Sequence, residues 1–146
     1  MIIKAKALAY ITKDDRLLVF SHPLSPEAGI QVPGGTIQPG EEAAAAAMRE
    51  GREETGLQEL SLESHLGQTQ INLSALGIDE IHQRDYFHII CQQETAARWR
   101  HDENFADDGS GPIPLVHYWV KMPLEEPLLT ADLDEMLPRL YQNLNL

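Results

Sequence analysis

The segment Gly34–Leu57, GGTIQPGEEAAAAAMREGREETGL, constrains the fold more than any other part of the chain. Five consecutive alanines lie between glycine-bounded ends, and alanine is the best helix former. The spacing predicts a helix over residues 42–55, closed by Gly56 as the residue after its last turn. Onto this one helix the chain places Glu50, Glu53 and Glu54 at i, i+3 and i+4, so the three side chains share a face. Like charges so placed repel by a few tenths of a kcal/mol per pair. Glu41 and Glu42 at the helix start are different, because negative charge is favourable there.

A hard divalent cation would explain the triplet. Mg²⁺ takes oxygen ligands and shares its sphere with waters and substrate phosphates. Arg49 and Arg52 partly neutralise the cluster, and Arg49 reaches Glu53 at i,i+4. Taken alone, the triplet fits a solvated acidic helix face equally well.

The spacing from Gly35 to Leu57 adds specificity. It runs Gly35, five residues, Glu41, seven residues, Arg49-Glu50, one residue, Arg52, Glu53-Glu54, one residue, Gly56-Leu57. This resembles the signature box of the Nudix hydrolase family (MutT-like), G-x5-E-x7-R-E-U-x-E-E-x-G-U with U aliphatic. Agreement at the fixed positions by chance is on the order of 10⁻⁸ at a given start, for residue types near average usage. Val32–Gly35, VPGG, is similar to the family's usual lead-in. Two positions depart from the pattern. Gly51 stands at an aliphatic position, and Glu42 stands where relatives often carry Ser or Thr.

The resemblance implies an α/β/α sandwich with a mixed β-sheet, an α/β (α+β) fold in which the box forms a loop–helix–loop packed on the sheet. It implies a pyrophosphohydrolase that acts on a nucleoside diphosphate derivative. Water would attack a phosphorus with Mg²⁺ or Mn²⁺ as cofactor. Carried over by position, Glu50, Glu53 and Glu54 are the metal ligands. Glu50 would also orient or deprotonate the water. Arg49 would orient carboxylates, Glu41 would support the helix start, and the Gly35 carbonyl would face the metal. Two other readings keep the fold. A non-catalytic nucleotide-sensing module would bind without turnover. An isomerase-like branch needs a catalytic cysteine, and Cys91 sits in an apolar strand instead. The proline and tyrosine that mark two family branches beyond the box are absent; Asn72–Ser74 occupies that region.

The rest of the chain bounds this reading. Its 146 residues fit one domain, 1–146. One cysteine excludes an internal disulfide and a thiolate-rich zinc site, and fits a cytoplasmic setting. A net charge of −12 argues against stable nucleic-acid binding. Lys4 and Lys6 interrupt the apolar N-terminal residues, which argues against a signal peptide, and no run is long enough to span a membrane. Many relatives are dimers, so a homodimer is an expectation, although no interface patch stands out.

The pattern predicts a hairpin over 2–12 and 16–21 and a short strand at IQVPGG. It predicts a strand pair or bent strand over 60–70 with Gly67 at the bend, and strands at 81–93 and 114–122. Residues 95–112 read as a polar loop. Residues 130–144 read as a C-terminal amphipathic helix carrying Leu133, Met136, Leu137, Leu140 and Leu144, with Asp132 as a cap and Pro138 as a kink. Glu80, Glu94, Asp102 and Glu103 are weaker candidates for a further ligand, each weighed against a surface role. The same holds for His82, His88, His101 and His117, and for Arg84, Tyr86, Arg98 and Trp99 as substrate contacts. Tyr10, Tyr118 and Trp119 are assigned to the core.

Overall fold

The computed structural model describes residues 1–103 and 111–146. The elements follow in the order β1 (Ile2–Lys13), β2 (Arg16–Ser21), β3 (Gly34–Thr36), α1 (Ala43–Thr55), β4 (Leu60–Asn72), β5 (Glu80–Cys91), β6 (Arg98–Glu103), β7 (Ile113–Lys121) and α2 (Leu137–Leu144). The described strands form a seven-stranded mixed sheet in the order β4-β5-β1-β2-β7-β6, with β3 paired to β1. β1 and β5 run parallel, and the other strand pairs are antiparallel.

The sheet is covered on both faces. On one, Ala7, Ala9, Ile11, Leu18, Phe87 and Ile89 pack against Ala46 and Ala47 of α1. The alanine run lets the helix backbone approach the sheet closely. On the other face, Leu8, Tyr10, Leu17, Val19 and Tyr86 pack against Leu133, Leu137 and Leu140. Successive residues of β1 alternate between the two clusters, as the two-residue period of a strand requires. The α/β/α arrangement expected from the sequence is therefore observed.

Several elements differ in extent from the sequence reading. α1 begins at Ala43, with Glu42 as a cap residue whose side chain makes no capping bond. Residues 60–72 form one long strand, with register shifts at Leu62/Ser64 and His65/Gly67 where a bend was expected. Part of the expected 95–112 loop is a strand, β6, because its backbone pairs with β7 from Arg98 to Glu103. Residues 104–110 of that expectation lie outside the described residues. The C-terminal helix covers 137–144 and not 130–144. Pro138 stands in its first turn, where a missing N–H is harmless, and so defines the start and not a kink. Upstream, Ala131 and Asp132 take positive φ values of 53° and 58°, which ends any helical path there and leaves Asp132 outside the capping position. Leu133 still reaches the core and accepts the Tyr10 hydroxyl on its carbonyl at 2.6 Å. Tyr118 and Trp119 are partly buried, one against each cluster.

Candidate active site

The box folds as β3, a turn and α1, and its acids surround Arg49. Nε and Nη2 of Arg49 donate to the two oxygens of Glu41 at 2.8 and 2.9 Å, a two-point carboxylate grip. Nη1 donates to Glu50 at 2.7 Å and lies 3.4 Å from Glu53, while Nη2 also donates to the Thr36 carbonyl at 3.2 Å. Arg49 thus ties the turn after β3 to the last turns of α1. The Arg49 guanidinium, with help from the Gln38 N–H, holds the Glu41 carboxyl down to about 2.

Glu50 lies directly over Gly35. A Cβ added at Gly35 would sit 2.5 Å from the Glu50 carboxyl carbon, so a side chain here would displace the Glu50 carboxylate. Glu53 points toward solvent, with 44% of its side chain exposed. Glu54 points inward and is buried. Its one described side-chain hydrogen bond is a long one, from the Gly34 N–H at 3.3 Å. Burial, followed by the negative charges of Glu50 and Glu103, pushes its pKa well above the ordinary carboxylate range.

The C-terminal end of α1 is held by the β6–β7 hairpin. His101 donates Nε2–H to the Glu53 carbonyl at 3.0 Å, His117 to the Glu54 carbonyl at 2.9 Å, and Trp99 Nε1–H to the Thr55 carbonyl at 2.9 Å. These are carbonyls that a helix end leaves without intrahelical partners. The Trp99 and His117 rings stack at 5.4 Å. Gly56 closes the helix at φ 79°, a left-handed conformation suited to glycine.

A cavity of about 1220 Å³ opens over this face of the molecule. Glu50, Glu53, Glu54 and Glu103 line one part of it, together with Arg49 and Gly35. The structure thus places Gly35, Arg49, Glu50, Glu53 and Glu54 on one cavity, and Glu41 is tied to them through Arg49. Of the weaker carboxylate candidates, Glu103 is at the cavity. Glu80 pairs with Lys4, Glu94 with Lys13, and Asp102 with Arg100. His82 and His101 line the cavity. His88 is buried against Thr12, and Tyr86 lies in the core. Arg98 lies over the Tyr118 ring at 5.0 Å. Arg84 is buried and lines the cavity. The sequence reading gave no role to Lys6 or Thr36, which also line it.

Among the described residues, no three His, Cys, Asp or Glu side chains are placed to hold a metal ion together. Glu50 and Glu53 are engaged by Arg49. The donor set is nonetheless suited to a hard cation. It is made of oxygens alone, and one member is a buried carboxylate with a single long hydrogen bond beside other acids. Such a group keeps its charge only if a cation compensates it.

Fold and site together define a mixed-sheet domain that presents an acidic helix to a large cavity. The NUDIX domain profile matches residues 3–140, and the chain belongs to the Nudix family. Nudix hydrolases generally use divalent metal ions. Comparison of the sequence with curated proteins gave no match. Among solved structures, the chain is similar to a NUDIX hydrolase from Nitrosomonas europaea, with 18% identity, TM-score 0.70, and 96% of this chain and 89% of that one covered. It is similar to the E. coli dihydroneopterin triphosphate pyrophosphohydrolase at 19% identity and TM-score 0.68, covering 99% of each chain. It is also similar to the C. elegans Ap4A hydrolase at 14% identity and TM-score 0.69, with 98% and 99% covered. At these identities the likeness speaks to the fold. Among the described residues no helix is long and apolar enough to cross a membrane.

Proposed function

We propose that the chain hydrolyses a nucleoside diphosphate derivative with Mg²⁺ or Mn²⁺, and that Glu50, Glu53 and Glu54 hold the ion with the Gly35 carbonyl beside them. The observation that carries this reading is Glu54, a buried carboxylate set among like charges with one long hydrogen bond. When bound, the ion supplies charge neutralisation at the phosphoryl oxygens and acidifies water. Glu50 orients the attacking water or takes its proton, since it stands at the cavity beside the Gly35 backbone. Arg49 positions Glu50 and Glu53 and is itself fixed by Glu41. Glu103 adds a carboxylate from outside the box, on β6.

Glu53→Gln tests the reading. Its exposed side chain makes the fold insensitive to the change, and turnover of nucleoside diphosphate derivatives should fall by roughly 10²-fold. Turnover equal to that of the wild type would remove Glu53 from the site. Tight binding of those compounds by the wild-type protein with Mg²⁺, but no phosphate-containing product, would make the domain a sensor instead.

A further inference from the structure

Part of the cavity wall is basic and has no task in the hydrolysis of a diphosphate by carboxylates. Lys4 and Lys6 of β1 and His82 and Arg84 of β5 line it. The parallel register sets Lys4 beside His82 and Lys6 beside Arg84. Residues two apart on a strand share a face, and like charges side by side across strands cost stability. Glu80 pairs with Lys4 at 3.2 Å and hydrogen-bonds His82 at 3.3 Å, and burial holds the His82 pKa down, so the like charges side by side are Lys6 and Arg84.

Arg84 is the second, independent observation. Its side chain is only 5% exposed, yet it lines the cavity. Its described hydrogen bonds all leave from Nη1, to the Ala131 carbonyl at 2.7 Å and to the Tyr86 hydroxyl and Glu135 at 3.4 Å. A guanidinium has five N–H donors, so Nε and Nη2 have no acceptor among the described residues. A buried arginine that lines a cavity and is held through one nitrogen matches the planar recognition of a phosphate. Thr36 connects this wall to the carboxylates. Its hydroxyl accepts Lys6 Nζ at 2.7 Å, and its carbonyl accepts Arg49 Nη2 at 3.2 Å. The two walls are therefore neighbours, one residue apart.

We propose that Lys6 and Arg84 bind the next phosphate along a polyphosphate chain whose other phosphates lie at the carboxylates. The substrate class is then a nucleoside triphosphate or longer polyphosphate, in preference to a nucleoside diphosphate joined to an uncharged sugar. This rests on the hydrolase reading for the site, but its test does not need turnover.

The test is calorimetric titration of the full chain with inorganic tripolyphosphate and with pyrophosphate, both in excess Mg²⁺. The wild type should bind tripolyphosphate about tenfold more tightly, the size expected of one added charged contact. In Lys6→Gln the ratio of the two affinities should fall toward one. A general loss of folding would weaken both ligands and leave the ratio unchanged. Arg84→Gln should collapse the ratio in the same way, but it leaves Glu135 without its arginine and can misfold, so Lys6→Gln decides. No preference in the wild type, or a preference kept in Lys6→Gln, overturns the proposal. A preference that behaves as described in a protein that hydrolyses no diphosphate derivative would leave this subsite standing and sink the hydrolase reading.

Discussion

Ile11 and Leu60 reach beneath Gly51, where the box otherwise calls for an aliphatic side chain. A Cβ at Gly51 would meet Leu60 Cδ1 at 3.4 Å and Ile11 Cδ1 at 3.5 Å, ordinary van der Waals distances. The neighbours therefore leave room for one methyl group and little more. Gly51→Ala should stabilise the protein by about 0.5–1 kcal/mol, since glycine in a helix interior loses more chain entropy than alanine. Gly51→Leu should destabilise it by about 1–3 kcal/mol through overpacking. Urea denaturation of both variants checks this; a less stable alanine variant would mean that Ile11 and Leu60 already fill the space. The residue type at this position was readable as a departure from the box, but the compensation was not. It comes from a strand before the helix and a strand after it, which only the fold brings together.

At the scale of elements, the three bonds from Trp99, His101 and His117 fix where α1 ends, and so where Glu53 and Glu54 point. His117 has no solvent exposure, and its Nδ1 has no hydrogen-bond partner among the described residues. Burial holds its pKa down to about 4 despite the Glu54 carbonyl. In the unfolded chain the imidazole takes a proton near pH 6.5. The folded-state pKa is thus the lower one. The contribution is fully present above pH 6.5 and is lost as the pH falls toward about 4. The stability advantage of wild type over His117→Gln should therefore shrink by on the order of 3 kcal/mol between those limits. Urea titrations of both proteins across this range measure it, and a constant difference would mean that the folded site accepts charged His117. This clasp was hidden in the sequence because RWRHDE has no apolar alternation and reads as a loop. β6 is a strand through its pairing with β7, and its side chains serve α1. The α1 helix, by contrast, was legible to within one residue because its alanines and its closing glycine are local signals.

At the scale of the molecule, the distribution of charge over the cavity matters more than the total of −12. The acidic wall was legible because it lies on one helix at i, i+3 and i+4. The basic wall was not, because Lys6 and Arg84 meet only through parallel pairing of strands distant in sequence. Lys4 and Lys6 read there merely as interruptions of an apolar run. At Glu54, burial and the neighbouring negative charges act in the same direction. Its folded-state pKa lies above the unfolded value, so stability is fully present below about pH 4.5 and is lost as the pH rises through the raised pKa. Glu54→Gln removes an acid whose ionised form is disfavoured by burial and by Glu50 and Glu103, and in metal-free buffer near neutral pH it should be more stable than the wild type. A bound divalent ion reverses the order. Mg²⁺ at one hundred times its dissociation constant should stabilise the wild type by about 2.7 kcal/mol. Glu54→Gln should lose most of that gain, and chelation should return the wild type to its metal-free stability. Thermal melts of both proteins with Mg²⁺ and with chelator give all four stabilities. A variant that is less stable without metal, or that keeps the full Mg²⁺ response, would show that Glu54 is neither the strained charge nor the group that the cation relieves.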